Sequence, residues 1–161
     1  MRIAVLGFAG SGKTYLSDYI AEKKSIPVLH LDDVKWNKEW KPVDDAFVLP
    51  TVAAFMAKDD WIIDGCYTYL MIDERLRNAD EIVLLLLPRI TCFFRALRRA
   101  RQRRKDGYIN DINLWFVKFI LFGCRNRERR DYYAGISEKY RDKTVVLRTR
   151  KHVREYIKRI D

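Results

Sequence analysis

The chain has little cysteine. Three residues in 161, Cys66, Cys92 and Cys124, are odd in number and widely scattered. This argues against a disulfide framework or a thiolate metal site and for reduced thiols in a cytoplasmic setting. Histidine is scarcer still: His30 and His152 stand apart with no assigned chemistry. With no Cys/His cluster in 106–113, a zinc-stapled segment there is not expected. Long hydrophobic runs are also missing. Ile82 to Pro88 and Leu114 to Phe122, the latter interrupted by Lys118, are the longest, well short of the ~20 residues of a membrane span. Ile3 to Leu6 runs directly into glycines, without the apolar region and cleavage site of a secretory signal. No repeat, low-complexity tract or Pro/Gly/Ser linker divides the chain, so a single domain over 1–161 is expected. Acidic residues are depleted in one half only: residues 89–161 hold 8 Asp/Glu against 22 Lys/Arg, net +14, whereas residues 1–88 are net −4. Anions should be drawn to the second half, unless its charge serves only as a solvated surface.

Glycine is used sparingly but in a telling place. Gly7 to Thr14 reads GFAGSGKT and fits G-x-x-x-x-G-K-[ST] at every fixed position. A polyphosphate needs several backbone N–H donors converging on its oxygens, so the loop must curl. Gly7, Gly10 and Gly12 permit the positive φ angles and close approach that a Cβ would block. Phe8, Ala9 and Ser11 contribute the remaining loop backbone, Lys13 a mobile positive charge, and Thr14 a hydroxyl for a magnesium ion bridging the outer phosphates. The flanks fit: Arg2 to Leu6 is a strand-length apolar run, and Leu16, Tyr19 and Ile20 recur at helical spacing up to Ser25. Such a loop lies at a helix N-terminus, where the dipole favours an anion.

Four more strands are expected: Val28 to Leu31, Trp61 to Asp64, Glu81 to Leu87 and Thr144 to Leu147. Their uninterrupted apolar runs suit parallel strands covered on both faces. Between them lie helical patterns: one capped by Asp44 or Asp45 and kinked or restarted at Pro50; one through Ile90, Phe93, Phe94, Leu97 and Ala100, broken at Asp106-Gly107; one from about Leu114, apolar at first and rich in arginine from Arg125 to Arg130; and a closing helix with Val153, Tyr156, Ile157 and Ile160 on one face. Leu114 to Phe122 is apolar nearly all round and is expected in the core, with a dimer contact as the alternative. The fold class is therefore α/β, a five-stranded parallel sheet with helices on both faces. Ligands in such sheets bind beyond the carboxyl ends of the strands, where the loop at 7–14, Asp32, Asp64 and Arg148 all fall.

Asp64 ends an apolar strand, where a P-loop enzyme holds magnesium, directly or through water. Asp32 or Asp33, after the second strand, could accept a proton from a substrate hydroxyl, and Asp32 is nearer the strand end. Trp36 and Trp40, interleaved with lysines, could wall an acceptor pocket that also involves Tyr67. Arg95, Arg98 and Arg99 share a helix face. Like charges four apart cost ~0.2–0.5 kcal/mol per pair, which an anion would offset. Arg125 and Arg129 repeat the spacing, so a phosphate-covering lid is expected over about 100–130.

GFAGSGKT, VLHLDDVKW, WIIDGCY, ADEIVLLLLPR and the arginine-rich helices together resemble the topology modulation (FlaR-related) proteins, P-loop NTPases related to adenylate kinase. The resemblance spans essentially the whole chain. It implies strand order 2-3-1-4-5, a short lid, and ATP and Mg2+ as cofactors. It also implies that Arg95 stacks on the base and that Arg99 contacts phosphate. Thr68 stands where adenylate kinases carry an acceptor-gripping arginine, which makes the site resemble kinases that phosphorylate a hydroxyl, such as shikimate and uridine kinases.

The expected function is phosphoryl transfer from ATP to a small hydroxyl-bearing acceptor. Lys13 and the loop amides would hold the donor, Thr14 and Asp64 the metal, and Asp32 the acceptor. Arg95, Arg99 and one of Arg125 or Arg129 would meet the transition-state charge. Two alternatives are a nucleoside monophosphate kinase and a nucleotide-dependent DNA binder working through the basic half.

Overall fold

The computed structural model describes residues 1–161 apart from Lys38, Trp40 and 106–113, with backbone only at 100, 102–105 and 114–116. The expected Asp106-Gly107 break, the loop to Asn113 and the role of Trp40 lie outside the described residues.

The first strand, β1 (Arg2–Gly7), explains the layering. Its side chains alternate: Ile3 and Val5 join one apolar layer, Ala4 and Leu6 the other, and all four are buried. Full burial of an aliphatic side chain contributes about 1.5–3 kcal/mol, so a strand buried on both sides belongs at the centre. The strands β2 (Val28–His30), β3 (Trp61–Asp64), β4 (Glu81–Leu85) and β5 (Thr144–Leu147) complete an all-parallel sheet in the order β2-β3-β1-β4-β5.

Helices cover both faces. α1 (Lys13–Lys24), α5 (Arg89–Lys105), α6 (Leu114–Leu121) and α8 (Arg150–Ile160) contribute Leu16, Ile20, Cys92, Ala96, Ile120, Val153 and Tyr156 to the layer under Ile3 and Val5. α3 (Asp45–Met56), α4 (Ile72–Asn78) and α7 (Arg127–Lys139) bury Val48, Val52, Leu76, Tyr133 and Ile136 against the other. Capping matches local sequence. The Asp44 side chain accepts from the Ala46 amide, Asn126 from Arg129 and Thr149 from His152. Among the described residues, no helix is long and apolar enough to cross a membrane.

Several boundaries differ from the sequence reading. The single helix expected from about Leu114 through the arginines at 125–130 divides into α6, a 3-10 turn at Gly123–Arg125 and α7. Leu31 opens the five-residue helix α2 (Leu31–Lys35), so the strand stops at His30 and Asp32 lies in a helical first turn. The fourth strand ends at Leu85, two residues early. α3 continues through Pro50 without restarting: Pro50 sits in the second turn, and Thr51 Oγ1 donates to the Phe47 carbonyl at 3.0 Å, using an acceptor in the turn the ring disturbs.

Candidate active site

Register brings the site together. β3 lies between β1 and β2, with Asp64 paired to Val5 on one side and to His30 on the other. The carboxylate thus emerges at the carboxyl edge beside the loop that leaves β1 at Gly7. Thr14, in the first turn of α1, donates its hydroxyl to Asp64 Oδ2 at 2.9 Å.

The loop is held from several directions. Cys66 Sγ accepts from the Gly7 amide at 3.3 Å and lies 3.0 Å from the Gly7 carbonyl, which also accepts from the Tyr133 hydroxyl at 3.2 Å. Phe8 is buried, edge-on to Tyr133 with centroids 5.5 Å apart, and its amide donates to Leu85 O. Ala9 is half-buried, and the Ser11 amide donates to the Phe8 carbonyl at 3.2 Å. Gly10 and Gly12 have φ of +73° and +91°, so both need glycine's freedom. Gly12 also serves as N-cap of α1 without a side-chain cap, so the first amides of the helix have no side-chain acceptor there.

Lys13 reaches back to the Phe8 carbonyl at 3.3 Å. Burial works to lower its ammonium pKa, but Cys66, Asp64 and Asp32 facing it outweigh that and hold it above the usual lysine value. Lys13 therefore stays charged, favoured by Asp64 at the end of β3 and by Asp32 in α2.

Asp32 is exposed, and its Oδ1 accepts from the Tyr67 hydroxyl at 2.5 Å, while Trp36 Nε1 donates to the Tyr67 oxygen at 2.8 Å. Burial, then the bond to Asp32, pushes the Tyr67 phenol well above its ordinary pKa, so it remains a donor. The backbone under Tyr67 is clamped by Arg75, which is fully buried and donates to Gly65 O at 3.1 Å and Tyr67 O at 2.7 Å. Burial lowers its guanidinium to about 10.

The arginines divide. Arg95 Nη1 donates to the Ser11 carbonyl, against the loop backbone. Arg125 is buried, with its guanidinium carbon 4.0 Å from the Phe8 ring centroid and Nη2 donating to Cys92 Sγ at 3.0 Å. Arg99 and Arg129 are exposed. Sequence reasoning kept Arg125 and Arg129 equivalent; tertiary packing sets Arg125 under the loop and leaves Arg129 at the surface of α7.

Several site residues escaped sequence reasoning. His30 is sandwiched between Asp64 and Asp18, with Nδ1 3.2 Å from Asp64 Oδ2 and Nε2 2.8 Å from Asp18 Oδ1. Hydrogen bonding to Asp64 raises its pKa to about 9, burial opposing and Asp18 assisting. The signal was faint but present: Asp18 follows Thr14 by one helical turn, and His30 immediately precedes Leu31 and the aspartate pair. Arg75, Cys66 and Tyr133 carried no local signal.

A divalent cation fits this donor set. Asp64 Oδ1 is buried without a hydrogen-bond partner, and Thr14 Oγ1 lies on the same carboxylate. One carboxylate and one hydroxyl, completed by phosphate oxygens and water, is how Mg2+ is usually held at nucleotide sites.

The chain matches no protein-family model and no curated protein sequence. Its fold is similar to crystal structures of two shikimate kinases. That from Bacteroides thetaiotaomicron is 18% identical with a TM-score of 0.52, over 99% of this chain and 96% of that one. That from Aquifex aeolicus is 16% identical with a TM-score of 0.52, over 99% of this chain and 93% of that one. At these identities the likeness establishes the fold alone, a five-stranded parallel sheet in the order 2-3-1-4-5 with helices on both faces.

Proposed function

We propose that this protein transfers the γ-phosphoryl group of ATP to the hydroxyl of a small acceptor. The observation that carries the reading is that the phosphate loop meets two carboxylates at one edge of the sheet: Thr14 donates to Asp64 at the end of β3, and Asp32 lies just beyond β2. Those two carboxylates suit different tasks. Asp64 is buried beside the Thr14 hydroxyl, as a metal-holding group should be, whereas Asp32 is exposed and oriented by Tyr67, as a base meeting a substrate should be.

The loop amides and Lys13 would bind the outer phosphates, and Thr14 and Asp64 would hold Mg2+, which when bound supplies positive charge between the phosphates. With Oδ1 engaged by Tyr67, Asp32 would accept the acceptor's proton on Oδ2. The acceptor oxygen then bonds to the γ-phosphorus as its bond to the β,γ-bridging oxygen breaks, and ADP leaves. Arg95 and Arg125 lie against the loop, and Arg99 or Arg129 would meet the charge on the transferring group.

Two things support a hydroxyl over a nucleoside monophosphate. Thr68 is exposed and offers no cation. Arg75 further along is buried and taken up by two carbonyls. The resemblance to topology modulation proteins and the shikimate kinase-like fold are both consistent with a P-loop kinase. ADP release should be followed across sugars, polyols, nucleosides, shikimate-like acids and the four nucleoside monophosphates. Turnover of one hydroxyl acceptor is expected, abolished in Lys13→Ala and lowered roughly 10²–10⁴-fold in Asp32→Asn. Full activity in Asp32→Asn would remove the general base; turnover confined to monophosphates would replace the reading with the monophosphate one.

A second reading has one observation behind it. Arg150, Lys151, Arg154 and Lys158 are all exposed on α8, a cationic face that could follow a DNA backbone. Affinity for duplex DNA falling linearly in log–log with salt is its signature, and no binding at low salt disposes of it.

A further inference from the structure

One run of polar contacts has no task in the transfer scheme. It links α1, β2 and β3. Asp18 Oδ1 lies 2.8 Å from His30 Nε2, and His30 Nδ1 lies 3.2 Å from Asp64 Oδ2, the oxygen that also accepts from Thr14 at 2.9 Å. An ionised carboxylate only accepts, so the His30 nitrogen facing Asp64 is a donor. Asp64 Oδ2 thus has two donors, while Oδ1 is buried with none. A carboxylate whose torsion is otherwise broad and two-fold has its oxygens distinguished.

We propose that His30, anchored through Asp18, is a positioning residue that fixes Asp64 so that Oδ1 is the oxygen presented to the divalent cation beside Thr14. The inference rests on the reading of Gly7–Thr14 and Asp64 as a magnesium–nucleotide site. The simpler role for His30 is to fasten the edge strand. That task is already served by the β2–β3 backbone ladder, in which Val28, Leu29 and His30 pair with Ile62, Ile63 and Asp64. Fastening also gives no reason for a carboxylate on each ring nitrogen. Outer partners that orient a metal-binding group typically change metal affinity 10–100-fold when removed, and the loss belongs to the metal, not to the nucleotide.

The test is binding of a fluorescent ADP analogue, first in EDTA and then across a magnesium titration, which needs no acceptor and no turnover. His30→Ala should need at least about tenfold more Mg2+ for its half-maximal effect, with ADP affinity in EDTA unchanged. His30→Asn, which places an amide donor near the position of Nδ1, should keep most of the magnesium response. Asp18→Asn, on an exposed part of α1, should fall between them, and it decides the matter if His30→Ala does not fold. An unchanged magnesium requirement in both His30→Ala and Asp18→Asn overturns the proposal. So does weakening of ADP binding to the same extent in EDTA and in magnesium, because that is the mark of a merely structural role. Wild-type protein that binds no ADP under either condition overturns the nucleotide-site reading, and this proposal with it.

Discussion

Gly10 and Gly12 carry different constraints although both sit at positive φ. A Cβ on Gly10 would lie 2.7 Å from the backbone oxygen of Cys92, which α5 cannot easily move. A Cβ on Gly12 would lie 2.8 Å from Arg95 Nη1, the far end of a flexible side chain. Gly12→Ala is therefore expected to cost about 1–2 kcal/mol for the left-handed backbone. Gly10→Ala adds an overpacking cost of about 1–3 kcal/mol. Urea unfolding of the two variants should rank Gly10→Ala as the less stable. Tyr67 offers a second test at this scale. Tyr67→Phe removes the hydroxyl that orients Asp32 but leaves the ring, so turnover should fall by roughly tenfold or more while Mg-ADP affinity stays at the wild-type level. Equal loss in both would mean that the phenol supports the fold and not the base.

Among the elements, α4 does more than cover the sheet. Through Arg75 it fixes the turn after β3 by its carbonyls, and hence Tyr67 and the Asp32 that Tyr67 orients. Arg75→Met keeps much of the volume but strands those carbonyls, at about 1–3 kcal/mol for each left unsatisfied. A lowered thermal midpoint together with weakened acceptor turnover is the expected outcome; a variant as stable as wild type would show that the carbonyls find other donors. Arg75 could not be recognised in advance, because its partners lie ten and eight residues away across a turn whose path the sequence does not reveal. The opening of α2 at Leu31 was hidden for a related reason. Leu31 is fully buried and reads as the fourth residue of an apolar strand, VLHL. A single buried leucine serves a helix start equally well, so only the backbone path after His30 separates the two.

For the molecule as a whole, the last helix is clasped to the first. Asp161 accepts from Tyr19 and pairs with Lys23 Nζ at 3.0 Å, tying the end of α8 to α1. The bond from Tyr19, then that from Lys23, holds the Asp161 carboxyl below its ordinary value of 3.8. A carboxyl depressed in the folded state stabilises above its unfolded pKa, and that contribution is lost as pH falls through the folded value. Stability of wild type relative to Asp161→Asn should thus be constant from about pH 5 to about pH 9, converging in stronger acid as Asp161 protonates and again in strong alkali, where Tyr19 and Lys23, both raised by Asp161, lose their protons. Because the clasp is fully solvated, the difference should be small and salt-sensitive. A difference that persists unchanged into strong acid would assign the effect to another group.

The amino-acid sequence by itself determined what is local along the chain or repeated at a fixed period. The loop Gly7–Thr14, the five apolar strand runs, the parallel α/β class and the placing of Asp64 at a strand end and of Asp32 just beyond one were all legible there. Each depends on neighbours within a few residues. Tertiary structure alone decided how those ends meet. Parallel register set His30 against Asp64, α1 carried Thr14 and Asp18 to opposite ends of that pair, and packing buried Arg125 on Phe8 while leaving Arg129 exposed. Such contacts join residues 12 to more than 100 positions apart, and no spacing rule connects them. Only the assembled sheet, with both faces covered, brings them within hydrogen-bond reach.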